Sequence, residues 1–411
     1  MAVAVTRPNI TRKRLCALSI KKKGRLAPSG KARGGARHSC WNAVENLPFM
    51  SSTESVSPDK VIVCACGTHE YTARDAIDAA IFRGELEEKW QTFLDHVAAE
   101  DRADELELEL DESAISAAAE EFRYRHDLIT AEETEGWLAN RGLTSGDFSA
   151  YFVRQYCAGA LDEGFRSQEV GYTSAPQELR HLFLAELILS GQLDDMTVKL
   201  MRRLAARCAA KEPTSETIDA EKRNFFHRIG IEPPQMADWL EEMGRDSQWF
   251  DEMLTMEAAY AAHCDTLLVP EARQRQLIAL QLRLTRFEVE QIELESHDAA
   301  QEALFCVQED GMSLEEVATE GRYPYRVANF LLEDLPAEVQ QKYVSVSQGD
   351  LLEPMPRSDG FALCRIIKKV EPRLEDPTVK LRVDQRLLDH YFSDLTTKYT
   401  HPRLSVPVSM E

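Results

Sequence analysis

The hydrophobic pattern of this 411-residue chain changes its period near residue 285. Between residues 72 and 284, apolar side chains recur about every 3.6 positions, which predicts amphipathic helices. The following stretch, TRFEVEQIELES, alternates and is rich in β-branched residues, which predicts a strand. The pattern then runs through helix, turn, helix and strand to about Pro372, and Asp376-Pro377 begins a last helix. The predicted fold class is α+β: mostly helical N-terminal and middle regions, a small α/β domain and a C-terminal docking helix.

These changes of pattern divide the chain into four expected segments. They are a basic leader over residues 1–55, a helical region over 56–284, the α/β domain over 285–372, and a C-terminal helix with its tail over 373–411. The two middle segments are each long enough to bury a hydrophobic core.

Charge is distributed unevenly along the chain. Residues 1–49 contain eleven Lys or Arg and one acid, Glu45, so their net charge is +10; subtracting this from the chain's −22 leaves −32 on the remainder. So negative a remainder repels phosphate groups, and no nucleic-acid partner is therefore expected. Basic or unfolded polypeptides are the favoured partners. We expect the leader to be disordered, or to precede a functional start at Met50; a transit segment and a nucleic-acid-binding tail are the alternatives.

The cysteines indicate a reducing compartment. There are nine, an odd number, and most occur singly within apolar patterns, which is typical of buried thiols and not of a disulfide framework. No run of the sequence approaches the ~18 apolar residues that a membrane-spanning helix needs. The expected location is therefore the cytoplasm, with no membrane span. No phosphate-binding loop or Ser-His-Asp order occurs, and no cofactor is expected.

Two further patterns concern the first 284 residues. Thr130 and Glu133 have the spacing of a capping box. A shift of 102 residues aligns six positions of one helical stretch with another, which indicates either an internal hairpin repeat or convergent helical patterning. The aligned pairs are Tyr124 with Phe226, Ile129 with Ile231, Trp137 with Trp239, Leu138 with Leu240, Gly142 with Gly244, and Phe148 with Phe250.

The stretch KVIVCACGTHEYT predicts a short hairpin around Gly67. It contains Cys64, Cys66 and His69, three residue types that bind zinc. Structural zinc sites use four ligands and a wider Cys spacing, whereas alternate residues of a strand share one face. Buried thiols are therefore the favoured interpretation, and no metal site is assigned.

Residues 286–371 resemble the parvulin (PpiC-type) rotamase domain, which isomerises peptidyl-proline bonds. The first strand is matched by FEVEQIEL, and two helices joined by an acidic Gly turn are matched by SHDAAQEALFCVQEDGMSLEEVATEG, where Ser313 and Glu316 form another capping box. The closing half is matched by LPAEVQQKYVSVSQGDLLEPMPRSDGFALCRIIKKVEP.

The wider order is similar to that of SurA-type chaperones, whose helical part cradles unfolded chains. The stretch FRYRHDLITAEETEGWLANRGLTSGDFSAYFVRQY looks like their N-domain hairpin. A narrower resemblance is to parvulin-related proteins that are encoded with peptide-maturation and export systems.

The resemblance also supplies candidate site residues. Parvulins share a pair of inward histidines and a proline pocket of Met and Phe. Here the first-strand histidine position is occupied by Gln291 and the last-strand one by Ala362. The pocket Met falls on Leu335, and the two pocket Phe fall on Val339 and Val344.

Because both histidines are missing, no catalytic residue is assigned. We expect Gln291 and Ala362 to pair across the sheet, with Gln291 hydrogen-bonding peptide or facing solvent. For Leu335, Val339 and Val344 the alternatives are a peptide pocket and the core of an amphipathic helix.

The resemblance implies a chaperone that binds extended or unfolded polypeptide, with weak or lost cis-trans isomerase activity. The alternatives are an active isomerase with a pocket rearranged around Gln291 and Cys364, and an accessory protein that binds a precursor peptide in a ribosomal peptide-maturation system.

Overall fold

The structure is a computed structural model, and it describes residues 57–161, 170–209, 212–357 and 360–404. The predicted leader over residues 1–55 lies outside these ranges. The described residues form an α+β fold, as the change of period predicts. The helices are α1 (Ala73–Phe82), α2 (Glu87–Glu105), α3 (Glu112–Arg125), α4 (Ala131–Ala139), α5 (Ser145–Ala160), α6 (Gln177–Leu189), α7 (Gln192–Ala209), α8 (Ser215–Ile229), α9 (Met236–Met243), α10 (Ser247–Leu267), α11 (Pro270–Ala279), α12 (His297–Gln308), α13 (Leu314–Gly321), α14 (Ala337–Val344) and α15 (Pro377–Tyr399).

Two small antiparallel sheets complete the described part. The strands are β1 (Ile62–Cys66), β2 (His69–Thr72), β3 (Arg286–Leu294), β4 (Tyr325–Leu331), β5 (Met355–Arg357), β6 (Gly360–Val370) and β7 (Thr400–Pro402). The first sheet has the order β2-β1-β7 and the second the order β4-β3-β6-β5. The predicted hairpin around Gly67 is confirmed as the β1–β2 pair.

Side chains at the helix starts explain where several helices begin. Thr130 accepts from the backbone N–H of Glu133, and the Glu133 carboxylate accepts from the Thr130 N–H; Ser313 and Glu316 do the same at α13. Both predicted capping boxes are confirmed. They satisfy backbone donors that have no partner within the helix.

The six aligned positions fall in two segments that have a similar order of helices. The segment α3-α4-α5 and the segment α8-α9-α10 each consist of three helices, and the second helix of each is short. In both, a glycine with a left-handed backbone follows the second helix: Gly142 at φ 67° and Gly244 at φ 63°. The buried leucines Leu138 and Leu240 also correspond.

Each unit is organised by three aromatic rings in similar geometry. The trios are Phe122, Trp137 and Phe148 in the first unit and Phe225, Trp239 and Phe250 in the second. In the first, the central ring lies 5.4 Å from each of the other two. In the second these distances are 5.2 and 5.0 Å. Edge-on contacts of this kind add to the free energy of burial. The central rings, Phe122 and Phe225, are 103 residues apart and not 102. The predicted match therefore pairs Tyr124, two residues after Phe122, with Phe226, one residue after Phe225.

A buried ionic cluster joins three helices of the main core. The Nε of Arg154 (α5) lies 3.1 Å from Glu186 (α6), whose other carboxylate oxygen lies 2.8 Å from Nδ1 of His96 (α2). The Gln155 amide also donates to Glu186 at 3.0 Å. Such charges are tolerated inside a protein only when they are paired, so the cluster fixes how these helices pack.

The C-terminal helix returns to the helical region. It packs on α7 and α11, and the strand that follows it, β7, pairs with β1. A separate apolar cluster joins α11, the end of β4 and α15 through Leu277, Leu331 and Val383. The expected docking helix is therefore present, and it also contacts the end of the four-stranded sheet.

The second sheet differs in two respects from what the sequence pattern predicts. Strands β4 and β5, at its two edges, are not predicted by the period of the sequence. The predicted pairing of Gln291 with Ala362 is wrong: Gln291 pairs with Cys364, and Ala362 pairs with Glu293. The two residues are diagonal neighbours on one face, since residues two apart on a strand share a face.

Gly360 gives a direct test of the β5–β6 corner. Its φ is +131°, and a Cβ added there would lie 2.2 Å from the backbone oxygen of Leu294. We predict that Gly360→Ala lowers the free energy of unfolding by about 3 kcal/mol, because the clash is with backbone and cannot be relieved by a side-chain rotation. Urea denaturation of the full chain measures this change.

Gly311→Ala is the matched control for this substitution. Gly311 lies in the same domain at φ +72°, but a Cβ there meets nothing within 4 Å. It should cost about 1 kcal/mol, from backbone strain alone. Equal losses in the two variants would contradict the proposed clash.

Candidate peptide-binding groove

The four-stranded sheet separates two apolar clusters. On one face, Ile292 and Leu294 of β3 pack with Leu363 of β6 against α12 and α13. On the other face, Phe287 and Val289 pack with strand β6 against α14 and the segment before β5. Alternation along β3 therefore places Gln291 and Glu293 on the second face, beyond the apolar residues. We call this second face the groove face.

Gln291 lies at the centre of a polar row across the groove face. It is flanked in register by Arg326 of β4 and Cys364 of β6. Its amide oxygen is oriented towards Arg326, whose Nη2 and Nε donate to it at 2.7 and 2.6 Å. The other end of the amide lies 3.9 Å from the Cys364 sulfur. Since Gln291 is only 9% exposed, these contacts replace most of its contact with water.

Cys364 is a neutral thiol at physiological pH. Burial raises its pKa to about 11, and the Tyr343 hydroxyl and the charges of Arg357 and Arg326 only partly offset this. Burial, followed by the charge of the neighbouring Cys364, also raises the pKa of Tyr343. A thiol is a poor nucleophile compared with a thiolate, so Cys364 is suited to packing and weak hydrogen bonding and not to covalent chemistry.

The polar row extends to Glu293 of β3 and Arg357 of β5, and its two arginines share the Glu293 carboxylate. Arg326 Nη2 lies 3.2 Å from Glu293, and Arg357 Nη1 also contacts Glu293. Both guanidinium groups remain partly exposed, at 55% and 37% of their side-chain surface. They keep free N–H groups that face solvent, because each guanidinium carries five donors. The row can therefore donate hydrogen bonds to the carbonyl groups of another chain.

A half-buried apolar rim lies beside the polar row. Its members pack against the buried cluster of the groove face while keeping part of their surface in water. They are Ala328, Phe330, Leu335, Val339 and Val346. The rim combined with the polar row is the groove that we consider as a peptide-binding site. An apolar surface with a few fixed polar groups is the usual composition of a binding site.

Five of the six predicted site residues lie on the groove face. Ala362 and Cys364 belong to its buried cluster, Leu335 and Val339 to its rim, and Gln291 to the polar row. Val344 is 42% exposed and does not contribute to the cluster. Leu335, which precedes α14, and Val339 within it both pack against the core and remain partly accessible. The pocket and core interpretations therefore apply to the same two residues.

The structure adds residues that sequence reasoning missed. Tyr343 is 2% exposed and packs at the centre of the groove face, and Arg326 and Arg357 bracket Glu293. Tyr343 follows Val339 by four residues, a spacing that places both on one side of α14 and could have identified it. The arginines could not be found in this way because they lie on edge strands that the pattern does not predict.

Other chemically reactive side chains lie away from this face. The His297 ring contacts Phe361, which packs against the opposite cluster, and the Ser296 side chain caps α12. Cys64 and Cys66 are buried in β1 while His69 is exposed in β2. Within residues 57–161, 170–209, 212–357 and 360–404, no group of three or more His, Cys, Asp or Glu could hold a metal ion.

No helix of the described ranges is long and apolar enough to span a bilayer.

A cavity of about 200 Å³ lies between the segment Ser57–Asp59, α1 and α6, and Asp78, Arg74 and Tyr172 line part of it. Burial raises the pKa of Asp78, and Arg245 opposes this.

The polar row gives a stability prediction for Gln291. Gln291→Ala removes the amide that joins Arg326 and Cys364, and we expect the free energy of unfolding to fall by about 1–2 kcal/mol. Urea denaturation measures the loss. Val327→Ala is the control, because Val327 is 51% exposed on the opposite face of β4, and its loss should stay below about 0.5 kcal/mol. If the two variants unfold at the same urea concentration, the amide does not organise the row.

Comparison with known proteins gives structural similarity only. No family model matches the sequence, and no curated protein matches it. The peptidylprolyl isomerase PrsA of Bacillus cereus is 14% identical with a TM-score of 0.32, over 52% of this chain and 85% of that one. The foldase protein PrsA of Lactococcus lactis is 11% identical with a TM-score of 0.24, over 82% and 91%. A SurA-like chaperone of Campylobacter jejuni is 9% identical with a TM-score of 0.20, over 52% and 88%. These structural neighbours are foldases and chaperones, and at such scores the likeness carries no argument about activity.

Proposed function

We propose that this chain binds extended or unfolded polypeptide through the groove face, as a PpiC/SurA-type chaperone with weak or lost cis-trans isomerase activity. The observation that carries the proposal is that the half-buried apolar rim and the polar row of Gln291, Arg326 and Glu293 lie on the same face of the sheet.

The composition of the groove suits a polypeptide client. Apolar side chains of a client gain free energy by covering the rim, at about 25 cal/mol per Å² of apolar surface removed from water. The exposed donors of Arg326 and Arg357 offer hydrogen bonds to client carbonyl groups. These contacts require no particular side-chain sequence, which fits a chaperone that accepts many clients.

The same geometry argues for slow isomerisation. The barrier to rotation about a prolyl bond arises from amide resonance, and an enzyme lowers it by holding the proline and stabilising the twisted amide. Ala362 is small and buried, Cys364 is a neutral thiol, and the Gln291 amide oxygen is already bonded to Arg326. The only histidine of residues 285–372, His297, lies against the opposite cluster.

Two narrower proposals depend on the same groove. A precursor peptide of a ribosomal peptide-maturation system is an extended chain and would meet the same contacts; a peptide-modifying enzyme and an exporter encoded beside this protein would support that client. We also propose a cytoplasmic location, since buried single thiols such as Cys157 and Cys364 suit a reducing compartment.

The isomerase proposal is tested with a chromogenic proline peptide. We expect the full chain to leave cis-trans exchange near its uncatalysed time of tens to hundreds of seconds, while an active parvulin in the same assay accelerates it. Acceleration comparable with the parvulin, abolished by Gln291→Ala, would instead establish the active-isomerase alternative.

The binding proposal is tested with reduced and alkylated lysozyme, an unfolded client that cannot refold. We expect the double variant Leu335→Ser/Val339→Ser to bind this client about tenfold more weakly than the unsubstituted chain, because it removes apolar surface from the rim. Fluorescence anisotropy measures binding, and suppression of client aggregation is measured on the same samples.

Val327→Ser is the matched control, because it removes an exposed valine from the same domain on the opposite face. A thermal melt of each variant establishes that it is folded at the assay temperature. Equal affinity in the folded double variant and in the unsubstituted chain would place client binding elsewhere on the molecule.

A further inference from the structure

Two cysteines that are distant in the sequence come together at the edge of the helical region. Cys66 is the last residue of β1, and Cys208 lies in the last turn of α7, 142 residues later. Their sulfur atoms are 3.1 Å apart. A disulfide bond is about 2.0 Å long, so the two atoms need to approach by only about 1 Å.

The elements that carry the two thiols are held together by other contacts. Strand β1 is the central strand of its sheet, and Cys66 is flanked by His69 of β2 and Thr400 of β7. Helix α7 packs directly on β1. The proximity of the sulfur atoms therefore results from the packing of two defined elements.

The two thiols differ in exposure. Cys66 is 9% exposed, whereas Cys208 is an exposed residue. Burial raises the pKa of Cys66 to about 12, and the neighbouring Cys208 adds to this while the charge of Arg207 opposes it. Cys208 is thus the thiol that meets a dissolved oxidant first, with Cys66 behind it in the position of a resolving thiol.

We propose that Cys66 and Cys208 are a reversible dithiol–disulfide pair that, when oxidised by a low-molecular-weight disulfide, covalently joins β1 to α7. The inference does not depend on the groove or on the proposed function.

The exchange proceeds in two balanced steps. The Cys208 sulfur, after losing its proton, attacks oxidised glutathione; the glutathione S–S bond breaks, and one glutathione leaves and takes up a proton. The Cys66 sulfur then loses its proton and attacks the Cys208 sulfur of the mixed disulfide, which releases the second glutathione. Two protein thiols are oxidised by two electrons, and one glutathione disulfide is reduced to two thiols.

The oxidised pair would act mainly on stability. It closes a loop of more than 140 residues, and cross-links across long loops restrict the unfolded chain most. It also fixes α7, against which α10 and α15 pack, to the sheet that contains β7. Oxidation would therefore stiffen the part of the fold where the chain returns to its N-terminal sheet.

The test incubates the full chain in glutathione buffers of increasing oxidised fraction, followed by acid quenching, alkylation and peptide mass spectrometry. We expect a linked peptide pair containing Cys66 and Cys208, together with a rise in the melting temperature of about 5 °C or more. Adding excess reduced glutathione should reverse both changes.

Two variants complete the experiment. Cys208→Ser should remove the linked peptide and the shift in melting temperature, and it should leave folding intact because Cys208 is exposed. Cys306→Ser, which removes a half-buried thiol from α12, should retain both. A stable glutathione adduct on Cys208 without closure, a Cys64–Cys208 link, or no oxidation of either thiol would each overturn the proposal.

Discussion

The pairing of β3 with β6 is the interaction on which the α/β domain depends. The two central strands pair from Leu294 with Phe361 at one end to Arg286 with Val370 at the other, with one β-bulge between Glu288 and Val289. Because side chains alternate across a strand, this one pairing builds both apolar clusters of the domain. A slip of one residue would move Phe287 and Val289 to the opposite face and Gln291 out of the groove. Fold and candidate site are therefore set by the same backbone hydrogen bonds.

In the helical region, two units of three helices share one packing arrangement. Each unit of three helices turns at a left-handed glycine and places a tryptophan and two phenylalanines in edge contact. Single units of this size bury too little apolar surface to be stable alone, and both contribute to one continuous core. The paired charges of Arg154 and Glu186 add a directional requirement that apolar packing lacks.

Features encoded over a few neighbouring residues could be predicted from the sequence. Capping boxes, the β1–β2 hairpin, strand β3 and helix α15 each follow from local spacing. Edge strand β4 could not, because Tyr325 and Val327 are exposed and the strand exists only through its pairing with β3. The strand partner of Gln291 could not be predicted either, because Cys364 lies 73 residues away and the register of the two strands is fixed by tertiary contacts, including the close approach of Gly360 to Leu294.

The charged side chains of the groove face are paired, and its buried titratable side chains stay protonated. Glu293 contacts both Arg326 and Arg357, so the face presents hydrogen-bond donors whose charge is partly neutralised within the protein. Two guanidinium groups and one carboxylate leave these three side chains with a single net positive charge, on a chain whose net charge is −22. Because Cys364 and Tyr343 both keep their protons at neutral pH, the buried centre of the face changes charge little across the physiological range. The polypeptide binding that we propose would therefore rest on fixed hydrogen-bond donors and the apolar rim, and not on a titrating group.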